Sequence, residues 1–176
     1  MTRQSLPPGR LFSLQRIVVT GPNGAGKTYL ATALARRTGL PLHHADAFKL
    51  TTGWQRRPAA ETRALLEAAL AGDRWIVEGG PSLLRAGLLD RAELVIRLDP
   101  PVALRAWRLA TRPLAWRGRT RPELPPGNPD SLLRQYRFAL ASLRAERTFR
   151  AALDSALAGV EVLHLRSRAE VAALLD

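Results

Sequence analysis

The sequence predicts an α/β domain built around a mainly parallel sheet, and three observations support this class. Short apolar runs alternate with longer segments of helical periodicity along most of the chain. A glycine-rich turn joins the first apolar run to the first helical segment. The 176 residues, 46% of them hydrophobic, are enough for one well-buried domain and few for two. We therefore expect an N-terminal extension over residues 1–15 and a single domain over residues 16–176.

Five strands are predicted from apolar runs bounded by turn residues. The first, RIVVT, is rich in β-branched residues, and the second, LPLHHAD, is expected to end near Asp46. The third, RWIVEGG, breaks at two glycines, and the fourth, AELVIRLDPP, ends at two prolines that cannot continue a ladder. The fifth, VEVLHLRS, precedes a short terminal helix.

Helical periodicity fills the intervals between these strands. One helix is predicted over residues 27–38, ending at a glycine, and another from Pro58 to about residue 71. Further helices are expected over residues 102–112, 131–153 and 168–175. Residues 112–130 carry five prolines and two glycines, and a loop of this length inside a compact domain is typical of a lid.

The composition excludes some kinds of functional site and suggests classes of ligand. The chain has no cysteine, which excludes disulfides, thiolate zinc sites and cysteine nucleophiles. It has no apolar run long enough to span a bilayer and no apolar segment behind its first charges, so we expect a cytoplasmic protein without a membrane partner. Its net charge of +12 suits phosphorylated ligands or nucleic acid. Nearly all of the basic residues are arginine, since Lys27 and Lys49 are the two lysines.

The glycine-rich turn, GPNGAGKT, matches the phosphate-loop pattern G-x-x-x-x-G-K-[ST] at every defined position. In such a loop, backbone N–H groups surround phosphate oxygens, and the following helix adds its positive N-terminal dipole. Lys27 is predicted to reach the β- and γ-phosphates, and the Thr28 hydroxyl to coordinate Mg²⁺. The predicted donor is therefore ATP with Mg²⁺, bound by Gly21, Asn23, Gly24, Ala25, Gly26, Lys27 and Thr28.

Three carboxylates follow the predicted strands, at the edge where parallel sheets bind their ligands. Asp46 is the candidate for acceptor binding or for a general base, and the alternative is a helix cap. Glu78, with room beside it at Gly79 and Gly80, is the candidate for holding Mg²⁺ through water or orienting an acceptor hydroxyl. The alternative for Glu78 is an ion pair with an arginine. Asp99 is interpreted as the N-cap of the helix from residue 102 and is left out of the site.

Aromatic and imidazole side chains near the second strand offer further candidates. Trp54 and Arg57, in the segment TTGWQRRP, place an aromatic plane beside guanidinium groups, which suits a base or an anionic acceptor. The alternative is a tryptophan that packs over the edge of the core. His43 and His44 are neighbours on a strand, so at most one of them faces a site, and no second ligand cluster supports zinc.

Six arginines and no acid lie between residues 102 and 122. Arg108 and Arg112 are four apart, on one face of the helix that leads into the lid, and Arg119 lies within the lid. Guanidinium groups that close over a phosphate loop stabilise the charge of a transferred phosphoryl group and exclude water. These three arginines are therefore predicted to be catalytic, together with Lys27 and Asp46. The alternative is a patch that binds nucleic acid.

Taken in order, GPNGAGKT, GDRWIVEGG, RAELVIRLDPP, RGRTRPEL and LHLRSRAEVAALL resemble the adenylate-kinase-like P-loop proteins, and among them the bacterial topology modulation protein branch. The resemblance covers nearly the whole chain from Arg16. It implies a nucleoside-monophosphate-kinase fold, with five parallel strands in the order 2-3-1-4-5 and a lid between the fourth and the fifth. It also implies that Asp46 and Glu78 lie beside the acceptor and the metal, and that adenine rests near Arg166 and Arg168.

Two functions agree with this pattern. The first is an ATP-dependent phosphotransferase, a P-loop kinase that passes a phosphoryl group to a small-molecule or nucleotide acceptor. The second is an ATP-binding or ATP-hydrolysing regulator that acts on nucleic acid through its basic surface. Neither the acceptor nor the oligomeric state follows from the sequence.

Overall fold

The structure, a computed structural model, describes residues 2–3, 9–84 and 86–175. Its centre is a six-stranded sheet in which every neighbouring pair of strands is parallel. The strands are β1 (Thr2–Arg3), β2 (Arg16–Thr20), β3 (Leu42–His44), β4 (Trp75–Gly79), β5 (Leu94–Leu98) and β6 (Val162–Leu165). The strand that leads into the glycine-rich turn, β2, lies inside the sheet between β4 and β5.

The order across the sheet is β1-β6-β5-β2-β4-β3. The five predicted strands are β2 to β6, and they lie in the predicted order 2-3-1-4-5, so the predicted fold class is confirmed. The additional strand, β1, comes from the predicted N-terminal extension and pairs with the start of β6. Leu11 and Leu14 of the same extension are buried in the core, whereas residues 1 and 4–8 lie outside the described residues.

Eight α-helices lie within the described residues, and none of them is long and apolar enough to cross a membrane. They are α1 (Lys27–Thr38), α2 (Ala45–Lys49), α3 (Ala59–Ala69), α4 (Ala86–Leu89), α5 (Val102–Ala115), α6 (Leu132–Arg144), α7 (Glu146–Ala156) and α8 (Arg168–Leu175). Single 3₁₀ turns are formed by Arg10–Ser13, Thr52–Trp54 and Pro81–Leu83. As predicted, α1 ends at Gly39, whose positive φ of 67° suits a glycine C-cap.

Both faces of the sheet are covered, which explains the apolar runs within its inner strands β2, β4 and β5. On one face, Leu30 and Leu34 of α1 pack with Ile17 and Val19 of β2. On the other face, Val18 of β2 belongs to a second core, which also contains Leu153 of α7 and Leu157 just after it. Because alternate residues of β2 enter different cores, the strand that carries the phosphate loop is fixed from both sides.

Two predicted element boundaries are wrong where distant residues meet, and a third differs because α5 continues through Pro113 to Ala115, past its predicted end at residue 112 and into the predicted lid. The second predicted strand ends at His44 and not near Asp46, because the chain turns into α2 where Ala45 packs against Gly79. The predicted helix over residues 131–153 is two helices, α6 and α7, which meet at Ala145. The break turns α7 toward the sheet, so that its Phe149 packs against Gly80, just after β4.

Asp99 does not have the role that the sequence predicts. The N-cap residue of α5 is Pro101, and no side chain caps this helix end among the described residues. The Asp99 carboxylate instead forms an ion pair with Arg150 of α7 at 2.8 Å, and Arg97 lies 3.9 Å away. The guanidinium groups of Arg150, partly exposed, and Arg97, buried, supply a stronger attraction for the carboxylate than the backbone amides of α5 do.

Candidate active site

The phosphate loop connects β2 to α1 in the interior of the sheet. Gly21 has a φ of 145°, and a Cβ at this position would lie 2.3 Å from the carbonyl oxygen of Leu98 on β5. Only glycine fits there, because the loop leaves the sheet in contact with the neighbouring strand. Gly26 is the N-cap residue of α1 with a φ of 100°, and no described side chain caps this helix. The first N–H groups of α1 are therefore free for an anion.

Lys27 lies in the loop with its side chain folded over it. Its Nζ donates a hydrogen bond to the carbonyl oxygen of Pro22 at 3.1 Å. Burial in the loop lowers the pKa of Lys27, while the carboxylates of Glu78 and Asp46 act in the opposite direction. The two predicted acids thus lie within electrostatic reach of the ammonium group.

Glu78 is the buried acid of the site. Its Oε1 accepts a hydrogen bond from the Thr28 hydroxyl at 3.2 Å and lies 2.9 Å from Nδ1 of His44. His44 and Glu78 are also paired in register between β3 and β4. The sequence indicated that at most one of His43 and His44 faces a site, and it is His44 that contacts Glu78.

The oxygen atoms of Thr28 and Glu78 form a donor set that fits Mg²⁺. Magnesium prefers oxygen ligands and is usually bound by one or two protein groups together with water and substrate phosphates. Among the residues that the structure describes, no group of three or more histidines and carboxylates could hold a metal alone. The arrangement therefore suits a magnesium ion that arrives with nucleotide phosphates, held by Thr28 and Glu78.

Asp46 is more exposed than Glu78 and lies on α2. Its Oδ1 accepts a hydrogen bond from Nζ of Lys49 at 3.0 Å. Desolvation tends to raise the pKa of Asp46, but the ammonium groups of Lys49 and Lys27 and the guanidinium of Arg121 outweigh it, so the net shift is downward. The carboxylate is therefore ionised at neutral pH and faces cations from the phosphate loop and from the segment over residues 112–130, which the sequence predicts to be a lid and which is called the lid below.

Arg108 and Arg105 attach α5 to the phosphate loop. Nη1 of Arg108 donates to the carbonyl oxygens of Gly24 and Ala25, at 3.2 and 2.8 Å. Nε of Arg105 donates to the carbonyl oxygen of Asn23 at 2.9 Å. Arg108 was predicted at the site, whereas the sequence did not single out Arg105. Its side chain is 1% exposed, and its spacing of three from Arg108 is the signal that places both on one side of α5.

The lid arginines have three different environments. Arg112 is partly buried, donates to Oε1 of Gln135 at 3.1 Å, and lies within electrostatic reach of Asp46. Arg121 is paired with Glu123 and Asp130. Arg119 is exposed, and its side chain forms no hydrogen bond or ion pair with the described residues.

The predicted acceptor residues do not form one open surface. Arg57 donates to the carbonyl oxygen of Phe48 and pairs with Glu61, at 3.0 and 2.6 Å. Trp54 contacts the lid, where its Nε1 donates to the carbonyl oxygen of Pro129 at 3.0 Å.

The two glycines after Glu78 are packed against other side chains. A Cβ at Gly79 would lie 2.8 Å from that of Ala45, and one at Gly80 would lie 3.3 Å from the ring of Phe149. These glycines allow α2 and α7 to approach the end of β4, so the space that the sequence assigned to a ligand is occupied by protein at these two positions.

Arg166 and Arg168 follow β6 and are exposed. The Arg166 amide donates to Glu170 at 2.7 Å, which caps the start of α8 together with Ser167. The charge of Arg168 lowers the pKa of Arg108, a smaller effect than that of burial, so the two guanidinium groups are near each other. The end of β6 thus lies beside the Arg108 side of the phosphate loop.

Comparisons with known proteins agree with the fold described above. A sequence model described as "ATPase family associated with various cellular activities (AAA)" matches residues 17–77, which is less than half of the chain. The matched part runs from β2 through the phosphate loop to Val77 of β4. No curated protein matches the sequence.

Solved structures match nearly the whole chain. Shikimate kinase from Acinetobacter baumannii in complex with shikimate is 17% identical, with a TM-score of 0.53 over 96% of this chain and 93% of that one. TT1252 from Thermus thermophilus is 18% identical, with a TM-score of 0.51 over 90% and 92%. Shikimate kinase from Bacteroides thetaiotaomicron is 20% identical, with a TM-score of 0.51 over 92% and 94%. The chain has the fold of a P-loop kinase.

Within this fold, the structure brings together part of the predicted site. Four groups lie around the end of the phosphate loop: Lys27, Thr28, Glu78 and Asp46. Arg112 lies within electrostatic reach of Lys27 and Asp46, and the region that these five residues border is called the cleft below. The arrangement offers amides and a lysine for phosphate oxygens, two oxygen ligands for a metal, and an ionised carboxylate opposite the loop. These are the groups that phosphoryl transfer requires.

Proposed function

We propose that this chain is an ATP-dependent phosphotransferase that uses Mg-ATP as donor and a small molecule as acceptor. One observation carries the proposal: charged groups from separate elements converge beyond Lys27. Asp46 comes from α2, Glu78 from β4 and Arg112 from α5, and all three act electrostatically on Lys27. A hydrolytic switch has to orient only a water molecule, whereas charged groups supplied by several elements suit an organic acceptor.

In the proposed reaction, the oxygen of the acceptor attacks the γ-phosphorus of ATP. The new P–O bond forms as the bond between the γ-phosphorus and the bridging oxygen of ADP breaks. Asp46 accepts a hydrogen bond from the acceptor hydroxyl and takes its proton as the new P–O bond forms, since it is ionised and lies within electrostatic reach of Lys27. Magnesium, when bound by Thr28 and Glu78, neutralises charge on the phosphates.

The basic groups hold the transferred phosphoryl group. Lys27 and the amides of the phosphate loop would bind the β- and γ-phosphates, and Arg112 would stabilise charge on the equatorial oxygens. Arg119 would approach from the lid, and Arg108, Arg166 and Arg168 would line the side of the loop where adenine rests.

The acceptor side would lie between α2 and the lid. Trp54 and Arg57 belong to the loop and helix start that follow α2, and we propose that they border the acceptor rather than hold it, because their polar atoms are engaged by protein groups. Two of the similar structures are shikimate kinases, which supports a small acceptor. At 17% and 20% identity, they do not indicate its chemical class.

A screen of acceptors tests the proposal. The purified chain is mixed with ATP, Mg²⁺ and one candidate acceptor at a time, drawn from nucleosides, nucleotides, sugars and hydroxylated acids, and ADP release is measured. At least one acceptor should raise ADP release well above the rate with water alone, and Lys27→Ala should abolish the increase.

The result that contradicts the proposal is equally defined. If no acceptor raises ADP release while DNA or RNA does, the chain is an ATP-hydrolysing regulator that acts on nucleic acid. A stimulated rate that survives in Lys27→Ala would indicate a contaminating enzyme.

A further inference from the structure

A buried asparagine joins the lid to the loop that follows α2. Asn128 is fully buried, at 0% exposure, although it lies in a segment rich in proline and glycine. Its Oδ1 accepts a hydrogen bond from the amide of Trp54, and its Nδ2 donates to the carbonyl oxygens of Thr51 and Pro125, each at 3.0 Å. The backbone N–H of Asn128 donates to the Thr120 hydroxyl at 3.2 Å. Every polar atom of the side chain is thus used, and two of its partners lie outside the lid.

The backbone around Asn128 strengthens the same junction. The Gly53 amide donates to the carbonyl oxygen of Gly127 at 3.1 Å, and Trp54 Nε1 donates to Pro129 O at 3.0 Å. Trp54 has a positive φ of 62°, which is uncommon for a residue with a side chain. Such a conformation persists where surrounding contacts determine it, and Trp54 is held by its hydrogen bonds to the lid and by the Arg134 guanidinium of α6, which lies 5.0 Å from its ring.

Gly127 and Thr52 fit together closely. A Cβ at Gly127 would lie 2.5 Å from Cγ2 of Thr52, so the two segments touch with no space for one more methyl group. Gly118, elsewhere in the lid, has nearly the same φ, +71° against +78°, but nothing lies within 4 Å of its Cβ position. Replacing either glycine by alanine should therefore strain the backbone equally, but only at Gly127 would the new methyl group strike a neighbour.

A line of buried polar side chains leads from this junction to the cleft. Asp130, two residues after Asn128, accepts a hydrogen bond from Nε2 of Gln135 at 2.7 Å. Oε1 of Gln135 accepts from Arg112 at 3.1 Å. Asp130 and Gln135 are 2% and 3% exposed, so their hydrogen bonds have little competition from water. The position of the Arg112 guanidinium thus depends on where the lid is held.

We propose that residues 51–54 and 125–130 form a latch, with Asn128 at its centre, that holds the lid against the acceptor-side loop before any ligand binds. Through Asp130 and Gln135, the latch positions Arg112 over the cleft. Asn128 is a positioning residue, since it reaches the site only through other side chains. The role of Arg112 rests on the proposed phosphotransferase function, whereas the latch itself does not.

Spin labels test the latch without any substrate. The chain has no cysteine, so Ala60→Cys on α3 and Pro122→Cys in the lid, both exposed, can be labelled as one pair. The distance distribution is measured for this pair in four backgrounds: the parent chain, Gly127→Ala, Gly127→Ala with Thr52→Ser, and Gly118→Ala. Thr52→Ser removes only the methyl group that a Cβ at Gly127 would strike and keeps the hydroxyl.

The parent chain and Gly118→Ala should each give a single narrow distance peak. Gly127→Ala should give a broad distance distribution in place of that peak. Adding Thr52→Ser to the same chain should restore the narrow peak. The latch is refuted if the two glycine variants behave alike, or if Thr52→Ser does not restore the peak.

A separate measurement, Mg-ATP turnover with the best acceptor or with water, tests the consequence for Arg112. Turnover should fall in Gly127→Ala and recover with Thr52→Ser, in step with the distance peak. If the peak moves and turnover does not, the latch does not position Arg112. Failure of the acceptor screen would leave the distance result unaffected, so the two proposals are tested independently.

Discussion

Lys27 is one of only two lysines in an arginine-rich chain. The sequence uses arginine for nearly all of its positive charge, yet the phosphate loop carries a lysine. An ammonium group is compact and can fold back onto the carbonyl oxygen of Pro22, as it does here at 3.1 Å, whereas the planar guanidinium of arginine requires more space. The cost of that burial is a lowered pKa, which the nearby carboxylates of Glu78 and Asp46 oppose.

The lowered pKa predicts a pH dependence of ATP binding. Lys27 is charged below its pKa, and since that value is below the usual 10.5, the charge is lost earlier than for a free lysine as the pH rises. Affinity for Mg-ATP should therefore fall on the alkaline side, by up to about tenfold per pH unit above the pKa. Calorimetric titration from about pH 7 to about pH 10 measures this fall.

Lys27→Arg is the matched control, because arginine stays charged over the whole range. Its affinity should be lower at neutral pH, owing to the larger head group, and should not change with pH. A parent chain whose affinity is as constant as that of Lys27→Arg would show that Lys27 does not lose its charge in this range.

At the scale of elements, α5 and α7 are joined through a buried ion pair that also fixes the phosphate loop. Both oxygens of Glu146, the first residue of α7, accept from the Arg105 guanidinium at 2.6 Å. The remaining Nε of Arg105 reaches Asn23 in the loop, and Arg150 donates to Glu146 from the other side. These bonds explain why the helical pattern over residues 131–153 is interrupted where α7 begins.

Acid should weaken this junction. The hydrogen bonds from Arg105 and Arg150 lower the pKa of Glu146 to about 2, despite the opposing effect of burial. A carboxylate with a depressed pKa contributes stability that is present above its unfolded pKa, here 4.5, and is lost as the pH falls toward 2. Glu146→Gln should lower the free energy of unfolding at neutral pH by about 3 kcal/mol and flatten its loss between those two values.

Urea unfolding across the acid range measures this effect, with Glu61→Gln as the control. Glu61 also pairs with an arginine, Arg57 at 2.6 Å, but its side chain is 50% exposed. An exposed pair of this kind contributes within about 1 kcal/mol, so Glu61→Gln should change the unfolding free energy little. Equal effects of the two substitutions would contradict a special role for the buried pair.

At the scale of the whole molecule, part of the positive charge is engaged by other groups of the protein. Arg97, Arg105 and Arg121 are buried or nearly so and paired with carboxylates, and Arg91 donates to the carbonyl oxygens of residues 70–72. Arg108 donates to carbonyl oxygens of the phosphate loop, and Arg112 donates to Gln135. The arginine-rich segment that the sequence offered as a nucleic-acid patch is thus divided among the phosphate loop, the lid and the outer surface.

This division predicts weak binding to nucleic acid. A short single-stranded oligonucleotide should bind measurably at low salt, because the net charge is +12, and should be released near physiological ionic strength, about 0.15 M. Fluorescence anisotropy over a series of salt concentrations measures this. Binding that persists at physiological salt would favour the regulatory function over the phosphotransferase.

Features that depend on neighbours along the chain were predictable. The strands, the phosphate loop and the glycine that ends α1 follow from periodicity and from residues with special backbone freedom. The strand order was inferred from resemblance, and the structure confirms it. The boundary errors lie at His44 and at Ala145, where contacts with distant residues override the local preference.

The sequence by itself determined that a phosphate loop joins a strand to a helix, since eight consecutive residues carry the glycines, the lysine and the threonine that such a loop needs. Only the tertiary structure decided which groups face that loop. Arg105 meets Glu146, His44 meets Glu78, and Asn128 meets Trp54 across separations of 34 to 74 residues. Hydrogen bonds over such separations leave no periodic trace in the sequence, because they are set by strand order and helix packing and not by spacing along the chain.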